Sequence, residues 1–144
     1  MKLKIINKSH HPLPEYKTPG SAGMDLRAYL EEPVVLGSLE RRLIPTGLFI
    51  ELPKDYEAQI RPRSGMSIKH GLSLINAIGT IDSDYRGELM IPLVNLSKDS
   101  YELVDGERIA QLVISPVVQA ELVEVDQLDE THRADGGFGS TGKL

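Results

Sequence analysis

Cysteine is absent from the 144 residues. Disulfides, thiolate metal sites and cysteine nucleophiles are therefore excluded. No apolar run approaches the roughly 18 residues of a membrane span. The N-terminal MKLKIINKSHHPLPEY lacks the apolar stretch of a secretory signal, so a cytoplasmic location is the expectation. Basic excess is missing too. The formal charge is −5, which argues against stable nucleic-acid binding, a function that needs a basic footprint. An anionic ligand remains possible where arginines and backbone N–H groups cluster locally.

What is present favours one turn-rich domain. Glycine and proline supply 13 and 9 residues, above the roughly 12% of an average chain. Short β-branched runs alternate with turn residues such as Pro53-Lys54-Asp55, Ser97-Lys98-Asp99 and Asp105-Gly106. Strands are expected at Leu3–Ile6, Val34–Leu36, Arg42–Ile44, Gly47–Leu52, Tyr56–Arg61, Leu72–Leu74, Glu88–Asn95, Tyr101–Val104, Ile109–Ile114 and Val117–Val125. Such spacing indicates a sandwich, barrel or jelly roll. A turn or two of helix is expected at Ser64–Lys69, with Ser64 as its cap.

Five segments carry chemistry-bearing residues. In Ser21–Ala28, Gly23 precedes Asp25, read either as an acid at a strand end or as a solvated edge. Arg61-Pro62-Arg63-Ser64-Gly65-Met66 joins two guanidiniums to a helix start, which suits an anion or simply caps a surface helix. Asp82-Ser83-Asp84 reads as a turn, or as a general base or metal ligand. In Gly106–Leu112, strict alternation puts Glu107, Ile109 and Gln111 on one side and Arg108 and Ala110 on the other. A buried Gln111 would need a hydrogen-bond partner.

From His132 onward the chain is glycine-rich and polar, unable to hold a structure by itself. Its glycines, Ser140 and Thr141 could form a backbone cradle for phosphate. Phe138 has nothing to gain in such a tail unless it stacks, and a nucleobase is a suitable partner. His10, His11, His70 and His132 show no metal-ligand spacing, and His10-His11 reads as surface.

Taken in order, AGMDLRA, PRSGM, GTIDSDYRGEL, GERIAQL and RADGGFGSTG resemble the five motifs of the trimeric dUTPases, from Ala22 to Gly142. One departure is Ala134, where the last motif usually has glycine after the arginine. A left-handed backbone at an alanine costs about 1 kcal/mol or more.

The resemblance implies an all-β, jelly-roll-like fold of the β-clip type. It implies a catalytic domain over residues 1–131 and a C-terminal arm over 132–144 that closes on a neighbouring subunit's site. It also implies a homotrimer with shared sites and a Mg²⁺-dependent conversion of dUTP and water to dUMP and pyrophosphate. That activity keeps uracil out of DNA and supplies dUMP for thymidylate synthesis. Motifs two and four would come from one chain, the third from another and the arm from the last.

Carried over by motif, Asp82 is the general base aiming water at the α-phosphorus. Asp25 meets Mg²⁺ through water, the ion being held mainly by phosphates. Arg63, Ser64, Gly65 and Gln111 bind phosphates, and Arg133, Gly139, Ser140 and Thr141 close over them. Asn76, Thr80, Ile81 and the backbone near Met90 surround uracil, Tyr85 packs under the deoxyribose, and Phe138 stacks on the base. Three rivals make different predictions. A dCTP deaminase would release ammonia, a regulator would bind without turnover, and a structural sandwich would bind no small ligand.

Overall fold

The computed structural model describes residues 1–137. Eleven strands and one short helix follow in order: β1 Lys4–Asn7, β2 Gly23–Arg27, β3 Val34–Leu36, β4 Arg41–Ile44, β5 Leu48–Glu51, β6 Tyr56–Pro62, α1 Ser64–His70, β7 Leu72–Leu74, β8 Gly79–Ile81, β9 Ile91–Asn95, β10 Tyr101–Leu103 and β11 Arg108–Pro116. The chain is nearly all β and its ladders are antiparallel, as the jelly-roll expectation requires. The largest sheet runs β2-β11-β6-β8 and the next β4-β9-β7, with the pairs β1-β5 and β10-β3 completing the set.

Alternation builds the core. In β6, Ala58 and Ile60 are buried while Glu57, Gln59 and Arg61 are only partly covered. Leu26, Leu112 and Ile60 belong to one apolar cluster with Leu72, Leu89, Ile91 and Leu93. Asn95 lies wholly inside it. Its amide donates to the carbonyls of Leu36 and Asp99, and its Oδ1 accepts from the N–H and hydroxyl of Ser97. A buried amide so completely paired fixes the β9–β10 turn without an unsatisfied group.

Three local expectations change. Residues 117–137 hold no strand, and Val118 and Leu122 are more than 90% exposed. The valines of Val117–Val125 have strand propensity, but propensity needs a pleated neighbour to pack on and this chain offers none there. The expected strand ranges omit β2 and β8, and Asp25, read as lying at a strand end, stands in the middle of β2. Helix α1 is capped by Arg63 in extended geometry with no side-chain cap bond, so Ser64 is its first residue.

Candidate active site

One face of the large sheet is polar. Register pairs Gln111 with Asp25 on one side and with Arg61 on the other, so the three form a row across β2, β11 and β6. The Gln111 side chain lies directly over Gly23, where an added Cβ would stand 2.8 Å from its Oε1. The Gln111 amide donates to Pro62 O at 3.0 Å, the partner its half-buried position demands.

Asp25 is the hub of this face. Arg63 Nε donates to its Oδ1 at 2.7 Å and Arg108 Nη1 to its Oδ2 at 2.9 Å. Arg63 Nη1 also donates to Arg108 O. Asp25 and Arg63 are both more than three-quarters covered, which strengthens charge-assisted bonds that would be weak in open water. Two guanidiniums on one carboxylate leave a surplus positive charge beside the start of α1. The first turn of that helix has no acidic residue, and the space beyond Gly65 is open.

Arg108 is the residue that sequence reasoning misplaced. A β-bulge separates Arg108, opposite Arg27, from Ala110, opposite Leu26. The extra residue inverts the alternation, so Arg108 shares a face with Gln111 while Ile109 and Ala110 are both buried. A bulge leaves no mark in an alternating apolar run.

Asp82 sits elsewhere. It is exposed and lines a cleft of about 340 Å³ with Asp84, Asp55, Glu57, Lys54 and Tyr56. Asp25, Arg63, Gln111 and Asn76 do not line that cleft. One chain thus brings together residues of the first, second and fourth motifs, while the third joins the same sheet through β8 and carries Asp82 into a separate cleft.

The third motif is a tight turn. Tyr85 N–H donates to Asp82 O, and Arg86 Nη1 donates to the carbonyls of Ser83 and Tyr85. The Tyr85 hydroxyl donates to Glu88 O at 3.1 Å, which folds the ring over Gly87. The Glu88 carboxylate accepts from the N–H groups of Thr46 and Gly47, anchoring the turn's far end. Asn76 is exposed in the β7–β8 loop, where Ala77 adopts a positive φ of 60°. Thr80 and Ile81 lie on β8, and Met90 is half-buried just before β9.

Of the arm, Arg133 is exposed and its Nε donates to Gly136 O at 2.8 Å. Ala134 has a φ of 46°, a left-handed conformation that glycine adopts more easily than alanine. Phe138, Gly139, Ser140 and Thr141 lie outside the described residues.

Two titrating groups away from this face are displaced. Burial pushes the Tyr101 phenol well above its ordinary range, and its hydrogen bond to Glu107 adds to the rise. Burial also raises the Asp105 carboxyl, but the Leu30 N–H and the imidazoles of His11 and His10 outweigh it and hold the group at about 2.

A family model described as dUTPase matches residues 9–142. The chain is 61% identical to the deoxyuridine 5'-triphosphate nucleotidohydrolase of Finegoldia magna, over 99% of each chain. It is 57% identical to that of Cytophaga hutchinsonii, over 98% of this chain and 92% of the relative. Among solved structures, the Staphylococcus bacteriophage 80alpha dUTPase with dUPNHPP superposes with a TM-score of 0.88 at 30% identity, covering 98% of both chains. A mutant dUTPase from phage phi11 of S. aureus, whose structure concerns coordination of a structural Mg(II) ion, superposes with a TM-score of 0.81 at 27% identity. It covers 90% of this chain and all of that one.

Proposed function

The chain belongs to the dUTPase family and hydrolyses dUTP, and from that premise we propose how its residues divide the reaction. Water attacks the α-phosphorus, and dUMP and pyrophosphate leave. The observation that carries this reading is the gathering of Asp25, Arg63, Arg108 and Gln111 at the start of α1, with Asp82 exposed in a cleft of its own.

Phosphates bind at the positive surplus. Arg63 commits Nε and Nη1 to protein acceptors, so among the described residues Nη2 remains for the ligand. Ser64 and Gly65 begin α1, where backbone N–H groups have no intrahelical acceptor. With Gln111 they form a donor array fixed before the substrate arrives, which favours charge as it develops on the departing pyrophosphate. Arg133, Gly139, Ser140 and Thr141 of the arm add donors when the arm closes.

The donor set fits Mg²⁺ held second-hand. Both Asp25 oxygens accept from guanidiniums, so Asp25 would face the ion across its waters and not bind it directly. The surplus positive charge suits an ion already neutralised by phosphates. When bound, Mg²⁺ supplies charge neutralisation of the triphosphate.

Asp82 takes the proton of the attacking water as general base. It does so across a subunit boundary. Ile68, Ile75, Ile78, Val118, Leu122 and Leu128 are apolar and exposed in the single chain, which supports burial in a homotrimer, where one chain's Asp82 would serve another's Arg63. The arm of residues 132–144 would come from the third.

Selection of the base falls to Asn76, Thr80, Ile81 and the backbone near Met90. Cytosine presents a reversed donor–acceptor edge there and leaves groups unpaired, a mismatch that discriminates by about 10⁴ or more. Close backbone around C5 refuses the thymine methyl. The Tyr85 ring under the deoxyribose refuses a 2′-hydroxyl, and Phe138 stacks on the uracil. A panel of dUTP, UTP, dTTP and dCTP, assayed for pyrophosphate with and without Mg²⁺, tests the whole scheme. The expected result is Mg²⁺-dependent release from dUTP alone; ammonia from dCTP, or equal release from all four, overturns it.

A further inference from the structure

Adjacent histidines on a regular strand point to opposite sides, which is why His10-His11 carries no ligand spacing in sequence. The fold removes that obstacle. Directly after β1 the chain bends around Asn7, whose Oδ1 accepts from the N–H and hydroxyl of Ser9 and whose Nδ2 donates to His11 O. The His11 N–H closes the bend on Ser9 Oγ. Both imidazoles then swing to one side, their ring centres 4.2 Å apart. Tyr29 packs edge-on against each of them.

Both rings meet the same carboxylate. His10 Nε2 lies 2.7 Å from Asp105 Oδ2 and His11 Nε2 lies 2.9 Å from Oδ1. Asp105 is itself fixed in the turn between β10 and β11 by the Leu30 N–H, 2.9 Å from Oδ1. The ligand atoms of the three residues all fall within 4.8 Å of one another. We propose that His10, His11 and Asp105 bind one divalent late-transition-metal ion, Zn²⁺ being the type case.

Geometry and chemistry agree on that class. Tetrahedral Zn²⁺ with bonds near 2.0–2.1 Å sets its ligand atoms roughly 3.3 Å apart. The contacts at 2.7 and 2.9 Å, one on each Asp105 oxygen, therefore need open slightly, and the other separations, all within 4.8 Å, need close by roughly 1.5 Å at most. The ion takes the place of the protons now shared between imidazole and carboxylate. Two imidazoles with one carboxylate suit zinc and its neighbours, whereas Mg²⁺ selects oxygen. The Leu30 amide is the outer hydrogen bond that orients a ligating carboxylate. His10 has a side chain 63% exposed, so a fourth position opens to solvent. The site uses none of the side chains assigned to phosphate, base or sugar, and it needs no phosphate. An occupied site ties the N-terminal bend to the turn that leads into β11.

The test uses the untagged full chain in metal-free buffer, titrated with Zn²⁺ alone by calorimetry and with Co²⁺ by absorption. One Zn²⁺ per chain is expected, along with intense visible Co²⁺ bands of four-coordinate nitrogen–oxygen ligation and a Zn²⁺-dependent rise in melting temperature. His10→Ala, at an exposed ring, keeps the fold and should weaken Zn²⁺ by more than tenfold, since even outer partners of a metal site contribute about 10- to 100-fold. Asp105→Asn should do the same, with circular dichroism confirming its fold; if it unfolds, His10→Ala decides. His70→Ala should leave binding unchanged. Absence of stoichiometric Zn²⁺, or binding undiminished in His10→Ala, overturns the proposal and leaves the three residues as an ion-pair cluster.

Discussion

Arg63 reaches back 38 positions to Asp25, its Nε 2.7 Å from Oδ1, and in doing so ties the proposed phosphate ligand to an acidic residue. With Arg108 on the second oxygen, the carboxylate is held at both ends. Asp25→Asn removes the charge and leaves two guanidiniums facing each other. Truncating one partner of a covered, hydrogen-bonded pair costs about 2–3 kcal/mol in favourable cases, less here for the exposure of Arg108. We expect a melting temperature several degrees lower and a higher Mg²⁺ concentration for half-maximal activity, read by thermal denaturation and a Mg²⁺ titration. An unchanged Mg²⁺ dependence would detach Asp25 from the ion.

Asp82→Asn is nearly isosteric and lies in an exposed cleft, so the sheets have no reason to shift. Losing a general base lowers turnover by roughly 10²–10⁴-fold. Binding of a non-hydrolysable dUTP analogue should persist. Pyrophosphate release at the unaltered rate would remove Asp82 from that role.

These two positions also show what the sequence could tell. Strand β6 was legible because Glu57 to Arg61 alternates on a half-buried sheet. Strand β2 was not, since Gly23, Asp25 and Arg27 are poor strand formers held in place by β11 alone. Val117–Val125 erred the other way, having the propensity without the partner. Asp25 and Asp82 were recognisable by motif order, not by spacing, and Arg108 was hidden by a bulge. The histidine bend was invisible because it rests on Asn7 side-chain bonds. Tertiary contacts decided each of these, and a linear pattern does not record them.

Truncation after His132 removes the arm and leaves every described strand in place. The shortened chain should fold and assemble like the full one. Its dUTP turnover should fall to a small residue of the full-length rate, because the donors proposed for the arm and the stacking proposed for Phe138 would be lost together. Size-exclusion chromatography with pyrophosphate assay checks both halves, and full activity without the arm would dismiss the closing role.

Alkaline stability depends on Tyr101. Its phenol O–H donates to Glu107, and burial with that bond raises its pKa in the folded state. The folded protein therefore keeps a proton that the unfolded chain releases from about pH 10 upward. The contribution is whole below that value and is lost as pH climbs toward the folded-state pKa. Tyr101→Phe cannot ionise, so its urea midpoint should trail the parent at neutral pH and draw closer above pH 10 or so. A gap constant from neutral to strongly alkaline pH would show that the hydroxyl is not the titrating group.

Sugar selection offers the sharpest test of the third motif. A Cβ at Gly87 would stand only 2.2 Å from the Tyr85 hydroxyl oxygen, inside the ring's own volume. Gly87→Ala must therefore expel the ring and break its bond to Glu88 O. Surface substitutions away from the core typically change stability by less than about 0.5 kcal/mol, so the fold should survive. What should change is discrimination. If the ring excludes a 2′-hydroxyl as proposed, displacing it should raise kcat/KM for UTP relative to dUTP roughly 10- to 100-fold, the span a single steric contact can supply. If the ratio holds while the melting temperature is unaltered, the ring is not what reads the sugar.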